Sequence, residues 1–356
     1  MKDDYLWDGS GEPDPEVQQL EKTLGRYRHN QPAPHFDEVA ETPAVKPRWS
    51  FFNMPWSYQL GAVAVVLLLV AGAFNVVSSR IAGNAGPSWE VARLEGTPRI
   101  GWHSLGEKSG PGKLGIGQTL VTDGSSRASI TLDETGRVEV DAESRLRLVT
   151  NGRGHKRLSL ERGTIHAVIW APPGEFVVDT PSAVAVDLGC VYTLHVDDSG
   201  AGLLRTTMGW VGFKLNGHES FIPAGAVCKT RPRIGPGTPY MEDASASFQD
   251  ALLRFDFESI TPVERTALLG TLLAGARKND AMTLWHLLSR VGDEDRPRVY
   301  DCLAALAPPP MGVTREGILR LDRTMLDAWW SSFGFGNIHL WRTYERDWSQ
   351  GGPNTK

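Results

Sequence analysis

The sequence predicts a multi-domain α+β chain: a single transmembrane helix, then an all-β domain, then an all-α C-terminal domain. Three observations carry this. Residues 58–78, YQLGAVAVVLLLVAGAFNVVS, hold no charge over about the length that a bilayer core requires of a helix. Between residues 87 and 242 apolar residues recur two apart between turn signals, the period of a strand. Beyond residue 261 they recur at helical spacing.

Bulk composition bounds the rest. The chain has 356 residues, 41% hydrophobic and 22% charged, enough for two ordinary domains with tails. A net charge of −5 without a Lys/Arg cluster speaks against nucleic acid as a direct partner. Three cysteines are too few for a disulfide scaffold but allow one bridge in an oxidising compartment.

Residues 1–28 form an arm with one short helix. Asp14 is placed to cap it and Pro15 to open it. Val17, Leu20, Leu24 and Tyr27 then share one face. An isolated helix of this length is marginal in water, so the face is a candidate for docking a partner. A frayed amphipathic tail fits the same pattern. Residues 29–57, rich in proline and without apolar periodicity, read as a linker. His29 and His35 lie near its start without a cysteine before position 190, so no thiolate is at hand for a zinc site.

The apolar segment 58–78 has Trp49, Trp56 and Tyr58 at one end, as an interfacial aromatic belt would. Lys46 and Arg48 precede it while Arg80 and Arg93 follow, so the charge bias does not orient it.

In the β block, Ile130/Leu132, Val138/Val140, Leu146/Leu148 and Leu158/Leu160 alternate with polar residues. DETG, DAES and NGRG punctuate them at the intervals of a sandwich, barrel or stacked sheet. The stretch VTDGSSRASITLDETGRVEVDAESRLRLV, then RLSLERGTIHAVI, FVVDTPSAVAVDLGCVYTLHVDDSG and LLRTTMGWVGFKLNGHESFIPAGAVCKTRP resemble the FecR domain in content and order. That resemblance implies an extracytoplasmic β-domain behind one transmembrane helix, hence a bacterial inner-membrane protein with a cytoplasmic N-terminus and its main domains in the periplasm. In the iron-uptake branch of the family the cytoplasmic arm controls an alternative sigma factor. The arm here is shorter than that branch's anti-sigma domain, and the C-terminus is helical where that branch carries a small transporter-contacting domain.

DLGCVYTLHV, residues 187–196, brings together Asp187, Cys190 and His195, the residue types of a nucleophilic triad. Strand periodicity separates them. Cys190, Tyr192, Leu194 and Val196 share one face while His195 lies on the other, beyond the roughly 2.6–3.2 Å that a nucleophile and its base require. No G-x-S-x-G, H-E-x-x-H, P-loop or dinucleotide fingerprint occurs elsewhere, so the expectation is a chain that is not an enzyme and uses no cofactor or metal. Asp187, before Leu-Gly, reads as a turn residue. If the block is extracytoplasmic, Cys190 and Cys228 are a candidate disulfide; two buried thiols are the alternative.

Residues 244–345 read as a helical domain. TPVE at 261–264 is a capping-box pattern. The segments RTALLGTLLAGARKND, AMTLWHLLSRVGDED, RPRVYDCLAALAPPP and TREGILRLDRTMLDAWWSSFGFG give four helices, the last the longest, in a stack or small bundle. Trp285, Trp329, Trp330 and Trp341 are core residues or an aromatic binding surface. Residues 346–356 are a tail. The function expected is trans-envelope signal transduction, with a protein partner on each side of the bilayer and a sigma factor as the cytoplasmic candidate. A non-catalytic envelope scaffold is the alternative.

Overall fold

A computed structural model describes residues 88–215, 217–336 and 338. The arm, its face of Val17, Leu20, Leu24 and Tyr27, the linker, segment 58–78, Trp341 and the tail lie outside the described residues. Among the described residues no helix is long and apolar enough to cross a membrane. A large sheet-rich region is followed by a helical one, and both fall in one compact unit.

Strands β1 (Ser88–Glu95), β2 (Arg99–Ile100), β3 (His103–Ser104), β4 (Gly112–Gly115), β5 (Thr119–Val121), β6 (Arg127–Thr131), β7 (Gly136–Val140) and β8 (Arg145–Gly152) lead into a long β9 (His155–Ile169). They are followed by β10 (Phe176–Asp179), β11 (Val184–Asp187), β12 (Val191–Val196), β13 (Gly202–Met208), β14 (Trp210–Leu215), β15 (His218–Pro223), β16 (Ala226–Arg231), β17 (Gly235–Pro236) and β18 (Tyr240–Met241). One sheet runs β4-β1-β6-β7-β9-β12-β13-β16 and is antiparallel throughout. The other runs β3-β2-β5-β8-β9-β10-β11-β14-β15 and is antiparallel except between β9 and β10.

β9 belongs to both sheets because it changes partners at Gly163. Arg162 still pairs with Arg145 of β8, while Gly163 already pairs with Val196 of β12. Gly163 has φ +97°, and a Cβ there would collide with the Ser144 side chain. Only glycine meets both demands. Alternation then fills the interior: Ile165, Ala167 and Ile169 of β9 are buried, as are Val138 and Val140 of β7 and Leu146 and Leu148 of β8.

The helices are α1 (Ala246–Phe257), α2 (Pro262–Gly275), α3 (Ala281–Leu288), α4 (Arg296–Leu306), α5 (Arg315–Leu319) and α6 (Arg323–Ser332). The capping box forms at α2: Thr261 Oγ1 accepts from Glu264 N and Glu264 Oε2 accepts from Thr261 N at 2.8 Å. The long fourth helix expected from 314 onward is two helices. Leu321 sits in the left-handed region at φ +58°, which ends α5, and the Asp322 carboxylate accepts from Met325 N at 3.0 Å, which starts α6. α1, which the sequence reading passed over, is capped by Ser245 and buries Phe248, Leu252 and Phe255. A single hydrophobic core runs from Trp89 of β1 to Trp329 and Trp330 of α6.

Candidate functional site

The three residues of the suspected triad divide between interior and surface. β11 ends at Asp187 and β12 begins at Val191, so Leu188–Cys190 form a turn between them. Asp187 Oδ1 accepts from Gly189 N at 2.7 Å, and the Cys190 thiol donates to Asp187 Oδ2 at 2.6 Å. Both side chains are buried, with Tyr192 beside them. Burial pushes the Asp187 carboxyl up to about 7, against the pull of the Cys190 and Gly189 hydrogen bonds. Burial and the Asp187 charge likewise hold the Cys190 thiol and the Tyr192 phenol well above their usual range. A thiol so held is a poor nucleophile, since the thiolate is the reactive form. His195 is exposed and turns to Thr164 Oγ1 at 2.9 Å. The turn brings Asp187 and Cys190 together, which residue spacing alone did not reveal, but no base joins them.

Cys190 and Cys228 do not meet, which corrects the expected bridge. Cys228 pairs with Leu204 of β13, which pairs with Leu194 of β12. Cys190 is thus two strands away and four positions further along. At standard strand spacing that is about 10 Å across and about 13 Å along, well over the roughly 7 Å between Cα atoms that a disulfide spans. Both thiols are free, and Cys228 donates instead to Gly237 O at 3.3 Å.

The outer face of the first sheet carries the polar residues of alternate positions. Register aligns Ser129, Glu139, His166, Thr193 and Arg205 in one row across β6, β7, β9, β12 and β13. His166 is its hub: Nε2 lies 2.8 Å from Asp141 Oδ2 and Nδ1 lies 2.9 Å from Thr193 Oγ1. Arg127 Nε donates to Asp141 Oδ1 at 3.1 Å. Two open grooves flank this hub. One, of about 480 Å³, is lined by Thr131, Glu139, His166 and Trp170 among others. The other, of about 550 Å³, includes Thr164, His195, Asp123 and Asp197. An Asp–His–Thr chain has the hydrogen-bond order of a nucleophile relay. Here, though, the backbone N–H groups of β9 and β12 serve the β9–β12 and β12–β13 ladders and do not point at a developing oxyanion. The sequence reading missed this hydrogen-bond chain because its members come from three strands; the polar phase of GTIHAV was the available signal.

A second polar cluster ties the helices to the sheet edge. His286 of α3 accepts the Phe221 N–H of β15 at Nε2, 2.9 Å, while Nδ1 donates to Met282 O at 2.8 Å. Burial, with Arg290 adding to it, lowers His286 to about 3, so the ring is neutral. Arg290 donates to Glu219 O, Ser220 Oγ and Pro236 O, at 3.0, 2.7 and 3.2 Å. It also lies 3.8 Å from Asp256 of α1, whose carboxylate accepts from the Thr238 hydroxyl and N–H. Burial raises the Asp256 carboxyl, with Arg290 and Thr238 pulling it back. Trp285 and Trp330 pack tilted or edge to face around Phe221 and His286, and Trp329 packs on Tyr300, so these tryptophans are core residues. Among the described residues no group of three His, Cys, Asp or Glu side chains is placed to hold a metal.

The FecR protein family matches residues 118–208, from just before β5 to the end of β13, which takes in strands of both sheets and the His166 hub. No curated protein matches. Among solved structures, two crystal structures of a candidate anti-sigma factor from Parabacteroides distasonis are similar at 16% and 15% identity, with TM-scores of 0.32 and 0.31. Each match covers 38% of this chain and 64% of that one.

Proposed function

We propose that this chain, which carries a FecR domain over residues 118–208, is a single-pass membrane regulator that passes a signal from outside the cytoplasmic membrane to a protein inside. Segment 58–78 is the anchor, the sheets and helices receive the signal, and residues 1–57 hold a cytoplasmic regulator such as a sigma factor. Neither catalysis nor a cofactor is part of this reading. The family match is the observation that carries it.

Two structural features support the receiving role. The His166 face is polar and flanked by grooves, which suits reversible binding of a protein. The edge strand β15 is closed by His286 and Arg290 rather than left open, so the sheet edge is shielded from strand addition and mechanically joined to the helices.

The test uses the full chain in its host membrane, with and without residues 1–45. Loss or permanent activation of a downstream transcriptional response upon deletion is the expected outcome. An unchanged response, with no regulator recovered by residues 1–50 as bait, would overturn the reading in favour of an envelope scaffold.

A further inference from the structure

The strand register gathers the four most exposed large apolar side chains of the described sheet region at one end of the sheets, and it is the end at which the chain enters them. Ser88, the first residue of β1, pairs with Gly115, the last of β4. The turn after Gly115 carries Ile116, 52% exposed. β5 leaves that turn, and its pairing with β2 puts the β2–β3 hairpin tip at the same end. That tip carries Trp102, 99% exposed. Glu90 pairs with Thr131, and the β6–β7–β9 ladder then brings Ile169 to this end, followed by Trp170, 66% exposed. Val168 pairs with Val191 and Val191 with Met208, 55% exposed, on the same rim.

Exposed tryptophan is costly in water, and elsewhere these sheets keep it inside: Trp89 and Trp210 are buried. The four exposed side chains spread along a rim, with Trp170 also bordering the groove beside His166. From β4 to β9 is four strand steps, about 19 Å, and β13 lies about 10 Å further. Such an arrangement fits a plane better than a pocket. The nearby charges are mixed, with Arg137 and Arg153 against Asp133 and Glu134. Aromatic insertion rather than net charge therefore supplies the attraction.

We propose that this rim, Trp102, Ile116, Trp170 and Met208, rests on the lipid bilayer at headgroup depth, where tryptophan is favoured. The proposal rests on segment 58–78 being the anchor. Nine residues lie between residue 78 and Ser88, a tether of at most about 35 Å, and the rim is the part of the sheets nearest its attachment. A rim held at the bilayer fixes the domain's tilt, sets the Trp170 groove beside the membrane and leaves the groove of Thr164 and His195, at the other end of β9 and β12, open to a partner.

The experiment reconstitutes the full chain into phosphatidylcholine vesicles with a nitroxide at position 102, 170 or 263, in a Cys302→Ser background where Cys190 and Cys228 stay buried. Val263, 80% exposed on α2, is the reference. The expected result is co-flotation, with the ratio of oxygen to nickel-chelate accessibility at 102 and 170 severalfold above that at 263. Co-flotation with equal ratios at all three sites would overturn the docking and leave the anchor standing. Labels at 102 and 170 immobilised but shielded from both relaxants would assign the rim to a protein partner or a second copy instead. Failure to float would overturn the anchor reading and the docking with it.

Discussion

Asp187 and His286 are both buried and both shifted, and they affect stability in opposite directions. The Asp187 carboxyl is raised from 3.8 to about 7, so folding favours its neutral form. Its contribution is complete below about pH 4 and is lost as pH rises towards 7. Asp187→Asn keeps an acceptor for Gly189 N–H and removes the titration. Urea unfolding at pH 4 and pH 7 should therefore show a smaller loss of stability for the variant than for the parent. His286 is lowered from 6.5 to about 3, so only the unfolded chain takes up a proton between those values. Its contribution is complete above about pH 6.5 and is lost as pH falls towards 3. His286→Ala also removes the hydrogen bond from the Phe221 N–H, and should cost about 1–3 kcal/mol at pH 7.5, where protonation plays no part. At the same scale, non-reduced peptide mapping of the protein should recover Cys190 and Cys228 as separate alkylated thiols.

Elements depend on a few residues at their ends and bends. β9 can serve two sheets only because Gly163 turns it at φ +97° against Ser144. Gly163→Ala should destabilise by about 1–3 kcal/mol from the backbone alone, with the Ser144 collision added, read as a lowered urea midpoint. The break between α5 and α6 depends on Leu321 and the Asp322 cap. Asp322→Ala should cost about 1 kcal/mol, and Asp322→Asn much less, because asparagine caps nearly as well.

For the molecule as a whole, the shared core makes the helices part of the sheet region's stability. Phe221 packs on Trp285, His286 and Trp330, and Arg290 spans to β15. Removing everything after Met241 would uncover Trp210 and Phe221 together with the β15 edge. That truncation should elute as aggregates on size exclusion, while the full chain should unfold with sheets and helices in a single transition followed by tryptophan fluorescence.

Local patterns in the sequence were enough to determine the class of the sheet-rich and of the helical region. Alternation of apolar residues set the strands from β6 to β9, since burial on one face of a sheet imposes period two. TPVE set the start of α2, because capping is satisfied within four residues. The family resemblance was likewise legible in order and motif. Tertiary structure alone decided what depends on residues distant in the chain. It joined Asp141, His166 and Thr193 across three strands, and it sent Cys190 and Cys228 to separate places. It closed β15 with His286 from 65 residues away and brought Trp102, Ile116, Trp170 and Met208 to the end where the chain arrives. Register and sheet order fix these meetings, and both are set by packing across the whole core rather than by any local stretch.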